Sequence, residues 1–235
     1  MEYTILICDD DTDILNALEI YLRQEEYVIV KAANGREAVD AMKIGNIHLV
    51  LLDVMMPELD GIQAAAEIRT FSNVPIVFLS AKSEDTDRIL GLNIGGDDYV
   101  TKPFNPVELT ARVKAALRRY ARLGGMNSNE PETDKLLRTG GLVVDDEKKR
   151  VTVDDEEVSL TPLEYNILYL LMTNQDRVFS SAQIYEAVWN EPAFHVSKTI
   201  SVHIRNIREK IEINPKEPRY LKVVYGLGYK VVKVE

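Results

Sequence analysis

Residues 49–61 read LVLLDVMMPELDG, a short apolar run, Leu49 to Leu52, that ends in a single carboxylate at Asp53. Similar β-type runs occupy Tyr3 to Cys8, Tyr27 to Val30, Pro75 to Leu79 and Tyr99 to Thr101. Helical patterns lie between them. Ile14, Leu15, Leu18 and Leu22 recur at helical spacing after Thr12, and Asn34 can cap a helix carrying Ala38, Ala41 and Met42. Pro106 suits the first turn of a last helix from Val107 to about Arg122. Five strands joined by helices imply a parallel sheet covered on both faces, with right-handed crossovers. Such sheets bind ligands at the carboxyl ends of their strands.

The polar residues at those ends are Asp9 and Asp10 after the first strand, Asp53 after the third, Ser80 after the fourth and Lys102 at the fifth. Three carboxylates gathered at one edge repel one another, and keeping all of them ionised requires a cation. Magnesium fits, because it takes oxygen ligands and keeps sites for water and phosphoryl oxygens. Asp53 is then the candidate nucleophile. The metal and Lys102 would neutralise a transferred phosphoryl group, and the Ser80 hydroxyl would donate to it. Singly, each residue is ordinary: aspartates are common at strand ends and lysines are usually solvated.

The chain has 235 residues, enough for two domains. Its 46% hydrophobic and 28% charged composition is that of a soluble protein, without an apolar run long enough for a membrane span. The first apolar run is too short for a signal-peptide core and enters Asp9, Asp10 and Asp11, so a cytoplasmic protein is expected. The single cysteine, Cys8, cannot form an internal disulfide and reads as a small core residue more than as a redox-sensitive thiol.

Residues 123–137 (LGGMNSNEPETDKLL) lack apolar periodicity and read as a linker between domains at 1–122 and 138–235. Leu142 to Val158 suggests a small antiparallel sheet. Thr161, Pro162 and Glu164 form a capping-box signature, which Ser180 and Gln183 repeat before Ile184, Val188 and Trp189. A third helix, about Ser197 to Ile213, precedes a hairpin around Tyr225 to Gly228.

Net charge is −10, which at first argues against nucleic acid, yet Val196 to Lys230 holds eight Lys/Arg against three acids. Ile200, Ile204, Ile207 and Ile211 form one apolar seam on the third helix. At about 100° per residue the opposite side presents Lys198, Val202, Arg205 and Asn206, with His203 and Arg208 nearer the flanks. A helix buried on one side and basic on the other suits the DNA major groove, although a solvated amphipathic helix has the same pattern.

The first half resembles a response-regulator receiver domain over residues 3–122, on ILICDDD, LLDVMMPELDG, VFLSAK and DDYVTKPF. That resemblance implies a flavodoxin-like fold with Asp53 as phosphoacceptor. It implies Mg2+ held by Asp9, Asp10, Asp53 and the Met55 main-chain carbonyl, and a cis bond between Lys102 and Pro103. It implies a switch in which Ser80 moves toward the phosphoryl group and Tyr99 rotates inward. The face altered by this switch carries Arg88, Asp97, Asp98, Glu108, Arg112 and Arg119, matching positions at which relatives pair across a dimer.

The second half is similar to the winged helix-turn-helix effector domain of the OmpR/PhoB family, on SLTPLEYNILYLL, SSAQIYEAVW, ISVHIRNIREKI and PRYLKVVYGLGYKV. The similarity implies a recognition helix contacting DNA through Lys198, Thr199, Val202, His203, Arg205, Asn206 and Arg208, with Tyr225 on a wing in the minor groove. Tyr225 stands where many relatives carry Arg, and Asn206 where some carry a base-reading Arg. The partners implied are a sensor histidine kinase, promoter DNA, RNA polymerase and, after phosphorylation, a second copy of the chain. A phosphohydrolase with an aspartyl-phosphate intermediate is the alternative, but its DxDx(T/V) motif fails at Asp13. A regulator acting only through protein contacts is disfavoured by the basic helix.

Overall fold

The computed structural model describes residues 3–81, 96–124, 136–190, 193 and 196–234. The chain divides into two compact units, Met1–Tyr120 and Ala121–Glu235. In the first, β1 (Thr4–Cys8), α1 (Thr12–Arg23), β2 (Val28–Ala32), α2 (Gly35–Ile44), β3 (Leu49–Asp53), α3 (Gly61–Arg69) and β4 (Ile76–Ala81) are followed by β5 (Asp98–Lys102) and α4 (Pro106–Gly124). The five strands are parallel in the order β2-β1-β3-β4-β5. The order reverses between β1 and β3, which opens a crevice at their carboxyl ends.

Successive residues of a strand point to opposite faces, and both faces here are covered. Leu6, Cys8, Val50, Leu52, Ile76 and Phe78 pack with α2 and α3. Ile5, Ile7, Leu49, Leu51, Val77 and Leu79 pack with α1 and α4. The helices are stopped and started as the sequence implies, with one refinement. Asn34 accepts from Glu37 N at 2.9 Å, whereas the first helix is capped by Asp11, whose Oδ1 accepts from Asp13 N at 2.8 Å. That third acidic residue therefore serves the helix and not the site.

The second unit carries a four-stranded antiparallel sheet, β6 (Leu136–Thr139), β7 (Leu142–Asp145), β8 (Arg150–Val153) and β9 (Glu156–Val158). The helices α5 (Pro162–Met172), α6 (Ser181–Trp189) and α7 (Ser197–Ile211) follow, then the hairpin β10 (Leu221–Val224) and β11 (Gly228–Val231). Both capping boxes are formed, by Thr161 with Glu164 and by Ser180 with Gln183. The α7 isoleucines enter a core with Trp189, Tyr185, Leu168 and Leu221.

Two boundaries move. The third helix ends at Ile211, two residues early, because the following Glu212 turns its carboxylate onto the backbone N–H groups of Arg219, Tyr220 and Leu221. The linker expected over 123–137 is trimmed by α4, which reaches Gly124, and by β6, which begins at Leu136; residues 125–135 lie outside the described residues. Among the described residues no helix is long and apolar enough to cross a membrane.

Candidate functional site

The carboxyl ends of β1, β3, β4 and β5 bring five predicted residues to one edge. Asp9 and Asp53 are buried, while Asp10 is exposed. One oxygen from each of the three lies within 4.8 Å of the others. Lys102 bridges two of them, with Nζ at 2.6 Å from Asp9 Oδ2 and 2.9 Å from Asp53 Oδ1. Contact with Asp9 is one of charge and distance: Oδ2 is buried and receives no hydrogen bond of good angle, while Oδ1 accepts from Asp11 N at 3.0 Å. Ser80 is buried on β4, in register with Thr101 and next to the pair Ala81–Lys102.

The electrostatics follow from this crowding. Burial pushes the Asp53 carboxyl up, and its bond to Lys102 offsets only part of that. Burial alone would depress the Lys102 ammonium, but the carboxylates of Asp9 and Asp53 beside it hold it above its ordinary value. Burial pushes the neighbouring Cys8 thiol up, and its Sγ lies 3.2 Å from Asn34 O, as suits a core residue. One lysine faces two buried carboxylates with a third alongside, so negative charge is in excess. An all-oxygen donor set with negative charge in excess is what a hard divalent cation can occupy.

The loop after Asp53 is held back against the strand by Gly61. Its N–H donates to Val54 O at 3.0 Å, and a Cβ there would lie 1.9 Å from Asp53 O. Only glycine permits so close an approach. Met55 is exposed on this loop, and the Lys102–Pro103 bond is cis. Tyr99 is half-buried against the core beneath α2 and α3.

In the second unit the candidate DNA-contacting residues separate into two groups. Lys198 and Arg205 are exposed on α7, the latter 2.8 Å from Glu209, and Tyr225 is 90% exposed on the hairpin. Thr199, Val202, His203 and Asn206 are buried. Helical-wheel arithmetic gives a side chain's direction but not what packs there. His203 lies against Trp189, with ring centroids 5.8 Å apart. Val202 and Asn206, opposite the isoleucine seam, are 7% and 6% exposed. Arg208 is half-buried and donates through Nε to Leu221 O at 2.8 Å, tying α7 to β10.

The response regulator receiver domain family matches residues 5–114. The family described as transcriptional regulatory protein, C terminal, matches residues 155–231. This chain is a member of the OmpR/PhoB family of response regulators. The response regulator is similar to the uncharacterized transcriptional regulatory protein YcbL of Bacillus subtilis, at 41% identity over 96% of this chain and 99% of the relative. It is 38% identical to the regulatory protein VanR of Enterococcus faecium, over 99% and 100% of the two chains. Among solved structures, DrrB of Thermotoga maritima, an OmpR/PhoB homologue, aligns over 99% of this chain and 100% of its own at 30% identity and a TM-score of 0.51. The protein is a two-component response regulator that regulates transcription.

In this response regulator most charges expected on a dimer face find partners inside their own unit. Asp97 is buried and accepts from Arg69 Nη2 and from Ile76 N, both at 2.8 Å, so it is turned toward α3 and β4. Asp98 is buried against Arg112 Nη1 at 2.9 Å, and Arg112 also holds Glu108 Oε1 at 3.0 Å. Arg119 is buried and Arg88 lies outside the described residues. Asp97 and Asp98 thus bind guanidinium groups of their own unit. Arg69 and Asp97, 28 residues apart, leave no local signature, and Gly61 and Glu212 escaped the sequence reading because they meet backbone atoms that every residue possesses.

Proposed function

We propose that Asp53 accepts a phosphoryl group from a sensor histidine kinase and that the modified protein dimerises and binds promoter DNA. The observation that carries this reading is the cluster of Asp9, Asp10 and Asp53 oxygens within 4.8 Å, with Lys102 bridging Asp9 and Asp53. Asp9, Asp10, Asp53 and the Met55 carbonyl would hold Mg2+, which when bound supplies positive charge for the transferred oxygens. The Asp53 carboxylate attacks the phosphorus as the donor nitrogen leaves. Lys102, already within contact distance of Asp53, neutralises the new charge, and the Ser80 hydroxyl donates to a phosphoryl oxygen. Tyr99, behind Ser80 on the adjacent strand, rotates inward and carries the change to the face of β5 and α4.

The domain reading is a receiver at 1–122 and an effector from 138, extended at its start to include β6. Lys198 and Arg205 on α7 and Tyr225 on the wing are the side chains favoured for DNA. RNA polymerase is the further partner, and the protein acts in the cytoplasm as a regulator, with no turnover beyond its own phosphorylation and dephosphorylation.

Incubation with a small-molecule phosphodonor and Mg2+ is expected to add the mass of one phosphoryl group. Asp53→Asn should abolish the addition, and omission of Mg2+ should suppress it. Light scattering of the phosphorylated protein should give twice the monomer mass; an unchanged mass after full modification overturns the dimer. Salt-sensitive retention on a DNA column, lost when the chain stops at Leu137, is expected for the effector.

A further inference from the structure

The hairpin of β10 and β11 is a sheet of only two strands, so each strand has an outer edge whose N–H and C=O groups need partners. The β11 edge is met by the residue before the α6 cap. Phe179 N donates to Tyr229 O and Tyr229 N to Phe179 O, both at 2.9 Å. Gly228, at φ 144°, allows this approach, because a Cβ there would lie 2.0 Å from Phe179 O.

The β10 edge is met by side chains of α7 and its cap instead of by a strand. Glu212 Oε1 accepts from Tyr220 N at 2.9 Å and Leu221 N at 2.8 Å, and Oε2 accepts from Arg219 N at 2.6 Å. Arg208 Nε donates to Leu221 O at 2.8 Å. Both backbone groups of Leu221 are therefore taken by side chains of the helix that reads DNA in the proposed function. Glu212 is buried. Arg208 Nη2 is buried too, with no hydrogen-bond partner among the described residues. Burial draws the Arg208 guanidinium below its ordinary range.

We infer, resting on the reading that this unit binds duplex DNA, that Arg208 and Glu212 are positioning residues that lock the wing onto α7 as one rigid piece. Arg208 then acts on DNA through the placement of the wing and not by neutralising a phosphate. Bonds from N–H groups to a carboxylate and from a guanidinium to a carbonyl are the charge-assisted kind, which suits a rigid joint. The two helices of the helix-turn-helix each grip one edge of the hairpin, α6 through Phe179 and α7 through Leu221.

The test uses the full chain and two readouts. Amide hydrogen exchange across 219–221 should quicken by about tenfold or more in Glu212→Ala, and by less in Glu212→Gln, which keeps one acceptor oxygen. Exchange there should also rise in Arg208→Ala and Arg208→Lys, and stay unchanged in Arg205→Ala. Binding to a mixed-sequence DNA duplex is then followed against salt. Arg205→Ala should lower the slope of log K against log salt by about 0.9, the loss of one phosphate contact. Arg208→Ala and Arg208→Lys should weaken binding with the slope unchanged. A slope lower by about 0.9 in Arg208→Ala, with wild-type exchange at 219–221, overturns the inference. Failure of the unaltered protein to bind the duplex would defeat the DNA reading alone, since hydrogen exchange still decides whether the joint exists.

Discussion

At the scale of residues, the acidic edge of the first sheet carries an electrostatic cost. Asp53 is held above its ordinary carboxyl value by burial. A group raised on folding makes ionisation cost stability: the cost is absent below the unfolded carboxyl range, grows as pH rises through it and is complete above the folded value. Asp53→Asn is therefore predicted to raise the melting temperature in metal-free buffer at neutral pH, with the gain shrinking as pH falls through the carboxylate range. Melts at a series of pH values with a chelator measure this. Gly61→Ala is predicted to destabilise the first unit by about 1–3 kcal/mol, because the added methyl meets Asp53 O. The same variant should slow the proposed modification of Asp53, since the displaced atom belongs to that residue. Urea unfolding and the rate of phosphoryl incorporation check the two parts.

At the scale of elements, α5 depends on an acid with two tasks. Glu164 closes the capping box by accepting from Thr161 N at 2.8 Å and also meets Lys210 Nζ of α7 at 2.6 Å. Thr161→Ala removes one cap bond and should cost about 1 kcal/mol. Glu164→Ala strips the cap and leaves Lys210 without this partner, so the predicted loss is larger, about 3 kcal/mol. The chain's one tryptophan, Trp189, is buried in the second unit, so its fluorescence during urea unfolding reports both values. An equal loss for the two variants would show that the Lys210 contact contributes nothing.

At the scale of the whole molecule, the two units have separate cores, and among the described residues the acidic cluster lies in the first. Magnesium is predicted to stabilise that unit by mass action, by about 2.7 kcal/mol at a hundredfold excess over its dissociation constant. A circular-dichroism melt should resolve an upward shift of the first unit's transition, while the Trp189 transition stays in place. No shift with Mg2+, or its persistence in Asp53→Asn with Asp9→Asn and Asp10→Asn, would count against the metal site.

Much of this protein was legible as a string. Alternating apolar runs and helical periods gave five parallel strands because a strand buried on both faces must be apolar throughout, and Asp9, Asp53, Ser80 and Lys102 stood at their ends because the sheet's ligand edge is there. The two capping boxes are local in sequence and were readable for the same reason. The burial of Val202 and Asn206, the inward turn of Asp97 toward Arg69 and the tie from Arg208 to Leu221 were not legible. The last two depend on a partner elsewhere in the chain, and each involves a backbone atom that every residue possesses. Periodicity tells which way a side chain points; only the packed chain supplies what it meets.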